Sequence, residues 1–186
     1  MNTRNIIILL VILIAVGGLY YFLSRPEPPP LKEETIYVWL IDMDEITHIV
    51  IELPDEGLKQ SFIKIPQGDQ FPWFFDDAEN SDVDTARWGG GIPLLLSGPS
   101  VARIIAEGAT EEQLATFGLT EPSMRITLTL ADGKVMNIEV GDKTPDGNNF
   151  YVKAPNRNDI ATVDVLWYDV MERIVKEPPY APPPEE

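Results

Sequence analysis

Polar and apolar positions alternate in two stretches of the chain and run unbroken in a third. MRITLTL, from Met124, sets Ile126, Leu128 and Leu130 on one side of an extended chain and Thr127 and Thr129 on the other. That period of two marks a strand with one face buried. Ala131-Asp132-Gly133-Lys134 follows, and a second alternating run begins at Val135. Asp-Gly between two such runs predicts a hairpin, because glycine takes positive φ without a steric penalty. ITHIVIELPDEGLKQSFIKI repeats this plan more weakly, with Ile49 and Ile51 against Val50 and Glu52 and a turn at Pro54-Asp55-Glu56-Gly57. Each half continues with a Gly/Asp/Pro loop, an aromatic extended piece, and a Val-Asp pair (Val83-Asp84, Val163-Asp164) opening a helical stretch.

In the second half that helix spans 164–176 and places Leu166, Val170 and Ile174, with Val163 and Trp167 beside them, on one apolar side, a stripe suited to covering a sheet. In the first half Gly89-Gly90-Gly91 and Pro93 interrupt the helix, so it begins late or kinks. Between the halves, residues 101–106 read as a strand. Thr110 and Gln113 have the spacing of a capping box, and Gly118 and Pro122 stop the short helix that follows.

The unbroken run is residues 6–23, IIILLVILIAVGGLYYFL, without a charge. A helix of that length is about 27 Å long, near the ~30 Å hydrocarbon core of a bilayer. Tyr20 and Tyr21 lie toward one end, where amphipathic rings favour the interface. Arg4 precedes the span and Glu27 soon follows Arg25, a bias that places the N-terminus in the cytoplasm. A cleaved signal peptide competes with a retained anchor, since Ala15 and Gly17 could precede a cut. LYYFL continues the apolar run past that point, which favours the anchor. The expected fold is therefore α+β: a single N-terminal transmembrane helix, then a domain of two duplicated β-β-β-α units with a mainly antiparallel sheet. The expected division is a signal-anchor at 1–23, a Pro-rich linker at 24–34, a folded domain at 35–178 and a Pro-rich acidic tail at 179–186.

Composition narrows the chemistry. There is no cysteine, hence no disulfide, thiolate metal site or cysteine nucleophile. His48 is the one histidine, which excludes His-pair metal sites. Beyond residue 23 the chain holds 13 Lys and Arg and all 30 Asp and Glu, 13 − 30 = −17. Nucleic acid and anionic lipid headgroups are disfavoured as partners; a basic partner or high solubility remains.

Chemical motifs are few. VGDKTPDGNN, residues 140–149, fits neither a calcium loop nor a phosphate loop, because Lys153 stands where the calcium template needs Glu and five residues separate Gly141 from Gly147. A turn is the reading that remains. DDAENSDVD, residues 76–84, could hold a hard cation weakly, but Asp82 or Asp84 also suits a helix cap. His48 sits among apolar neighbours on an expected strand and has no partner Ser or Asp by motif. No catalytic, cofactor or metal residues are assigned, and no cofactor or small-molecule substrate is expected. Tyr20, Tyr21, Trp39, Trp88 and Trp167 are the candidate partner contacts.

Phe117-Gly118-Leu119, Pro122, Asp132-Gly133, Gly141 to Gly147 and Phe150-Tyr151-Val152 together form a pattern. It resembles the hallmark stretch of the bacterial domain-of-unknown-function 4340 family; the resemblance extends more loosely upstream to Trp73 and Val83-Asp84 and covers most of residues 44–175. The resemblance implies an N-terminal anchor with the domain on the periplasmic or extracellular side. Some members resemble auxiliary components near ABC-type or gliding-motility transport systems. No catalytic residues follow from it. The expected function is a non-enzymatic, membrane-anchored accessory or scaffold subunit of a larger membrane complex, whether transporter, photosynthetic or respiratory. It would bind its partners through the external domain and the bilayer through residues 6–23. The alternatives are an extracytoplasmic hydrolase using paired carboxylates and a calcium-dependent adhesion module.

Overall fold

The computed structural model describes residues 2–23, 35–88 and 91–182, with the side chains of 3, 8, 9, 19 and 21–23 outside that description. The chain divides into two units, Met1–Glu34 and Thr35–Glu186. In the first, helix α1 is Thr3–Leu23. Among the described residues no helix is long and apolar enough to cross a membrane, so the expected transmembrane signal-anchor is corrected. Tyr20 is exposed, and Tyr21 lies among the undescribed side chains.

The second unit is an α+β fold on one antiparallel sheet. Its strands are β1 (Ile46–Leu53), β2 (Leu58–Lys64), β3 (Trp73–Phe75), β4 (Arg103–Ala106), β5 (Met124–Leu130), β6 (Val135–Lys143), β7 (Asn149–Lys153) and β8 (Ile160–Asp164). Its helices are α2 (Thr85–Trp88), α3 (Gly91–Ser97), α4 (Glu111–Thr116) and α5 (Val165–Lys176). The sheet order is β3-β2-β1-β5-β6-β7-β8-β4. β1 and β5 meet at the centre, and the hairpins β1-β2 and β5-β6 open to either side. The expected pair of β-β-β-α units is corrected in its second member, which has four strands before its helix. In the first, the position corresponding to β8 is reduced to one bridge between Phe74 and Asp82.

Register explains the core. Phe62, Ile49, Leu128 and Met136 face one another across β2, β1, β5 and β6, and all four are buried. Ile51, Ile126 and Ile138 form the next buried row. α5 covers these rows with Trp167, Tyr168, Met171, Ile174 and Val175. On the opposite face the same register lines up Lys59, Glu52, Arg125, Glu139 and Lys153, one per strand and alternating in sign. Lys59 pairs with Glu52 at 3.0 Å and Lys153 with Glu139 at 2.5 Å. Opposite charges directly across strands favour this register over one slipped by a residue.

α4 closes the far end of that second face through Leu114, Leu119 and Ile160. Its capping box forms as the sequence predicts, with reciprocal bonds between Thr110 and Gln113. The chain leaving α4 lies against β6 so tightly that the Asp142 amide donates to Phe117 O at 2.9 Å. A Cβ on Gly141 would sit 2.1 Å from that same oxygen. The Gly141 to Gly147 stretch is thus a packing contact followed by a turn, in which Thr144 and Asn149 bond each other and Gly147 has φ of 77°. Past α5, Tyr180 bridges to Val83 and stacks on Phe75 at 3.9 Å.

Gly141→Ala should destabilise the domain by about 3 kcal/mol, because backbone must move to admit the methyl group. Gly133→Ala meets nothing within 4 Å and keeps only the strain of φ 82°, about 1 kcal/mol. Thermal melts of both variants check the order; equal midpoints would contradict the close contact.

Candidate functional site

Two places gather side chains that could act on something else. The first is built around the C-terminus of α3. A helix leaves its last four carbonyls without intrahelical partners, and in α3 each finds another donor. Ser97 Oγ donates to Leu94 O at 2.8 Å, and Trp167 Nε1 donates to Leu95 O at 2.9 Å. Trp39 Nε1 donates to Leu96 O at 2.8 Å, and the Ile41 amide donates to Ser97 O at 2.8 Å. The two indoles meet edge to face, with centroids 6.3 Å apart. The segment 36–41 is drawn alongside 97–101 by bonds from Val38 N to Pro99 O and from Val101 N to Ile36 O. Gly98 permits the approach, since a Cβ there would lie 2.8 Å from the Leu40 side chain.

This arrangement leaves an open groove of about 600 Å³ between α3, the start of α5 and the 36–41 segment. Trp167 and Val170 line it together with Tyr37, Leu40, Leu94 and Leu166. Leu40 and Leu166 are each 69% exposed and Leu94 is 59% exposed. Leu166 was expected in the buried stripe of α5. It faces outward because Trp167 and Tyr168 take the core positions one and two residues on. Asp164 also lines the groove and caps α5 by accepting from the Leu166 amide at 2.7 Å. Among the described residues no Lys or Arg lines it.

Of the expected partner contacts, Trp39, Trp88 and Trp167 are buried. Trp88 packs against Phe62 and Trp73, away from the groove. Trp39 and Trp167 act through their N–H groups on α3, and only Trp167 also lines the groove. The aliphatic residues that do face outward carry no motif, and sequence reasoning missed them.

The second place is a triangle on the open sheet face. His48 Nε2 lies 2.9 Å from Ser61 Oγ and 3.0 Å from Asp76 Oδ2, and Ser61 Oγ donates to Asp76 Oδ2 at 3.0 Å. Hydrogen bonds from His48 first and Ser61 second hold the Asp76 carboxyl below its ordinary value. A nucleophilic serine needs an imidazole nitrogen that accepts its proton while a carboxylate holds the other ring nitrogen. Here serine and carboxylate meet the same nitrogen. Nε2–H can donate to Asp76, but it then has no lone pair for Ser61. The triangle is a satisfied cross-strand network, with Ser61 left without a base.

Two of the other acids of residues 76–84 are engaged locally. Asp77 accepts from the Ser81 amide at 2.9 Å, and Asp84 caps α2 by accepting from the Ala86 amide at 2.9 Å. Among the described residues no three His, Cys, Asp or Glu side chains are grouped to hold a metal.

Residues 96–171 match the model of a family described as a domain of unknown function, DUF4340. This segment belongs to the DUF4340 family. No curated protein and no solved structure matches the chain. The DUF4340 segment runs from the last turn of α3 to the middle of α5, so it carries Trp167 and Leu166 but not Trp39 or Leu40. It also contains the Phe117-Gly118 and Gly141-Asp142 contact, which gives a steric reason for those glycines within the DUF4340 pattern.

Trp39→Phe removes the donor to Leu96 O while keeping a ring in place, and should cost about 1–3 kcal/mol; chemical denaturation measures it. Asp76→Asn tests the triangle through pH. A carboxyl with a lowered folded value contributes stability above its unfolded value, near 4, and that stability is lost as pH falls through the folded value. The variant should melt below wild type at pH 6, and the difference should vanish near pH 2.

Proposed function

We propose that the Thr35–Glu186 unit is a docking domain, an accessory or scaffold subunit that holds a segment of a partner protein in the groove beside α3. One observation carries this reading: three large aliphatic side chains, Leu40, Leu94 and Leu166, stand exposed around one groove whose floor is held by two indole hydrogen bonds. Exposed apolar side chains scattered singly are ordinary, whereas a group around a concave surface marks an interaction site. The rigid floor matters too. A preorganised groove loses little conformational entropy when it is filled. The His48 triangle favours binding over hydrolysis only in the sense that its one serine lacks a base.

A photo-crosslinking residue at position 166 in the native host should give one discrete protein adduct. The same residue at position 127, on the open sheet face, should not. Absence of an adduct at 166, or an equal yield at 127, would remove the groove as the docking site.

A further inference from the structure

The charge and walls of the groove narrow the partner, given the docking reading above. We infer that the groove takes an amphipathic helix of another protein whose flanking residues are cationic.

A helix fits the walls better than a strand does. The groove is bounded by side chains from α3, α5 and the 36–41 segment. Amides of that segment at Val38 and Ile41 already bond to Pro99 and Ser97, so an added strand would find the ladder there partly taken. Side chains must therefore supply the binding energy. A volume near 600 Å³ has room for several leucine-sized side chains at interior packing density. That is the apolar face of roughly two helical turns, with anchors at i, i+3 or i+4, and i+7.

Charge sets the sign of the partner. Asp164 lines the groove, and among the described residues no cation does. Asp169 is exposed on α5 three residues beyond Leu166, a spacing that keeps both on one side of the helix. The whole chain sets 30 Asp and Glu against 14 Lys and Arg. A second copy would bring the same excess of acid to the contact and be repelled. A helix edged with Lys or Arg meets complementary potential, which acts on the association rate and on discrimination between partners.

Two synthetic helices test this with the full chain. Both carry leucines at the anchor spacing; one has Lys and the other Glu on its polar face. Titration followed by tryptophan fluorescence should show the Lys helix binding at least tenfold tighter, with the margin shrinking as salt is raised. Leu166→Asp should weaken the Lys helix at least tenfold, and Asp169→Lys about threefold, at unchanged melting temperature. Equal affinity for the two helices, or binding of neither, overturns the inference, as does self-association of the chain that Leu166→Asp abolishes. If position 166 still crosslinks to a protein in those cases, docking stands and only the cationic helix fails. If it crosslinks to nothing, both fail.

Discussion

The folded unit turns on how a seven-residue helix ends. α3 is too short to hold itself, and its exposed C-terminal carbonyls would be costly to bury unpaired. Four donors from three parts of the chain meet them: a hydroxyl of α3 itself, the indole and a backbone amide of the 36–41 segment, and the indole of α5. Those bonds tie the two ends of the domain's sequence to its middle. They also decide where Leu40, Leu94 and Leu166 stand, because each is adjacent in sequence to a residue engaged in that cap.

The sheet beneath is specified twice over. One face is fixed by apolar rows under α5 and the other by the row from Lys59 through Glu52, Arg125 and Glu139 to Lys153. Exposed ion pairs contribute little each. A slip by one residue would turn the apolar set outward and set this row against the core. The ladder thus acts on specificity more than on stability, and it lets a strongly acidic chain keep five strands in register on a wet face.

What could be read from the sequence follows from what each element buries. The β5-β6 hairpin was legible because one face is wet: Thr127 and Thr129 alternate with buried Ile126, Leu128 and Leu130. Its turn matches too, with Gly133 at φ 82° and the Lys134 amide bonded to the Asp132 carboxylate. β8 was not legible, because Ile160, Ala161, Thr162 and Val163 are all buried and a strand covered on both faces shows no alternation. The His48 triangle was invisible for another reason. It forms across strand pairs, with Phe75 opposite Phe62 bringing Asp76 beside Ser61, and no local motif encodes a register. Tryptophans drew notice as partner contacts by size and amphipathic character, yet the same N–H that suits an interface serves here to cap a buried helix.

The groove arises where the two halves of the domain cease to match. Both halves run a hairpin into a third strand and a Val-Asp cap, with Asp84 accepting from Ala86 N and Asp164 from Leu166 N. Only the second half completes a fourth strand before its cap, and after the cap they diverge further. The second half continues as α5, twelve residues long, with five side chains buried. The first half has α2, which includes Trp88, and α3 from Gly91, residues 89–90 lying outside the described ones. α3 ends at Ser97, and two of its last carbonyls take their donors from Trp39 and Trp167. Those carbonyls draw in the 36–41 segment, and that segment supplies Tyr37 and Leu40 to the groove's wall. Local departures from an otherwise consistent plan tend to fall where a protein does its work, and in this chain the externally capped end of α3 and the exposed leucines are the same place.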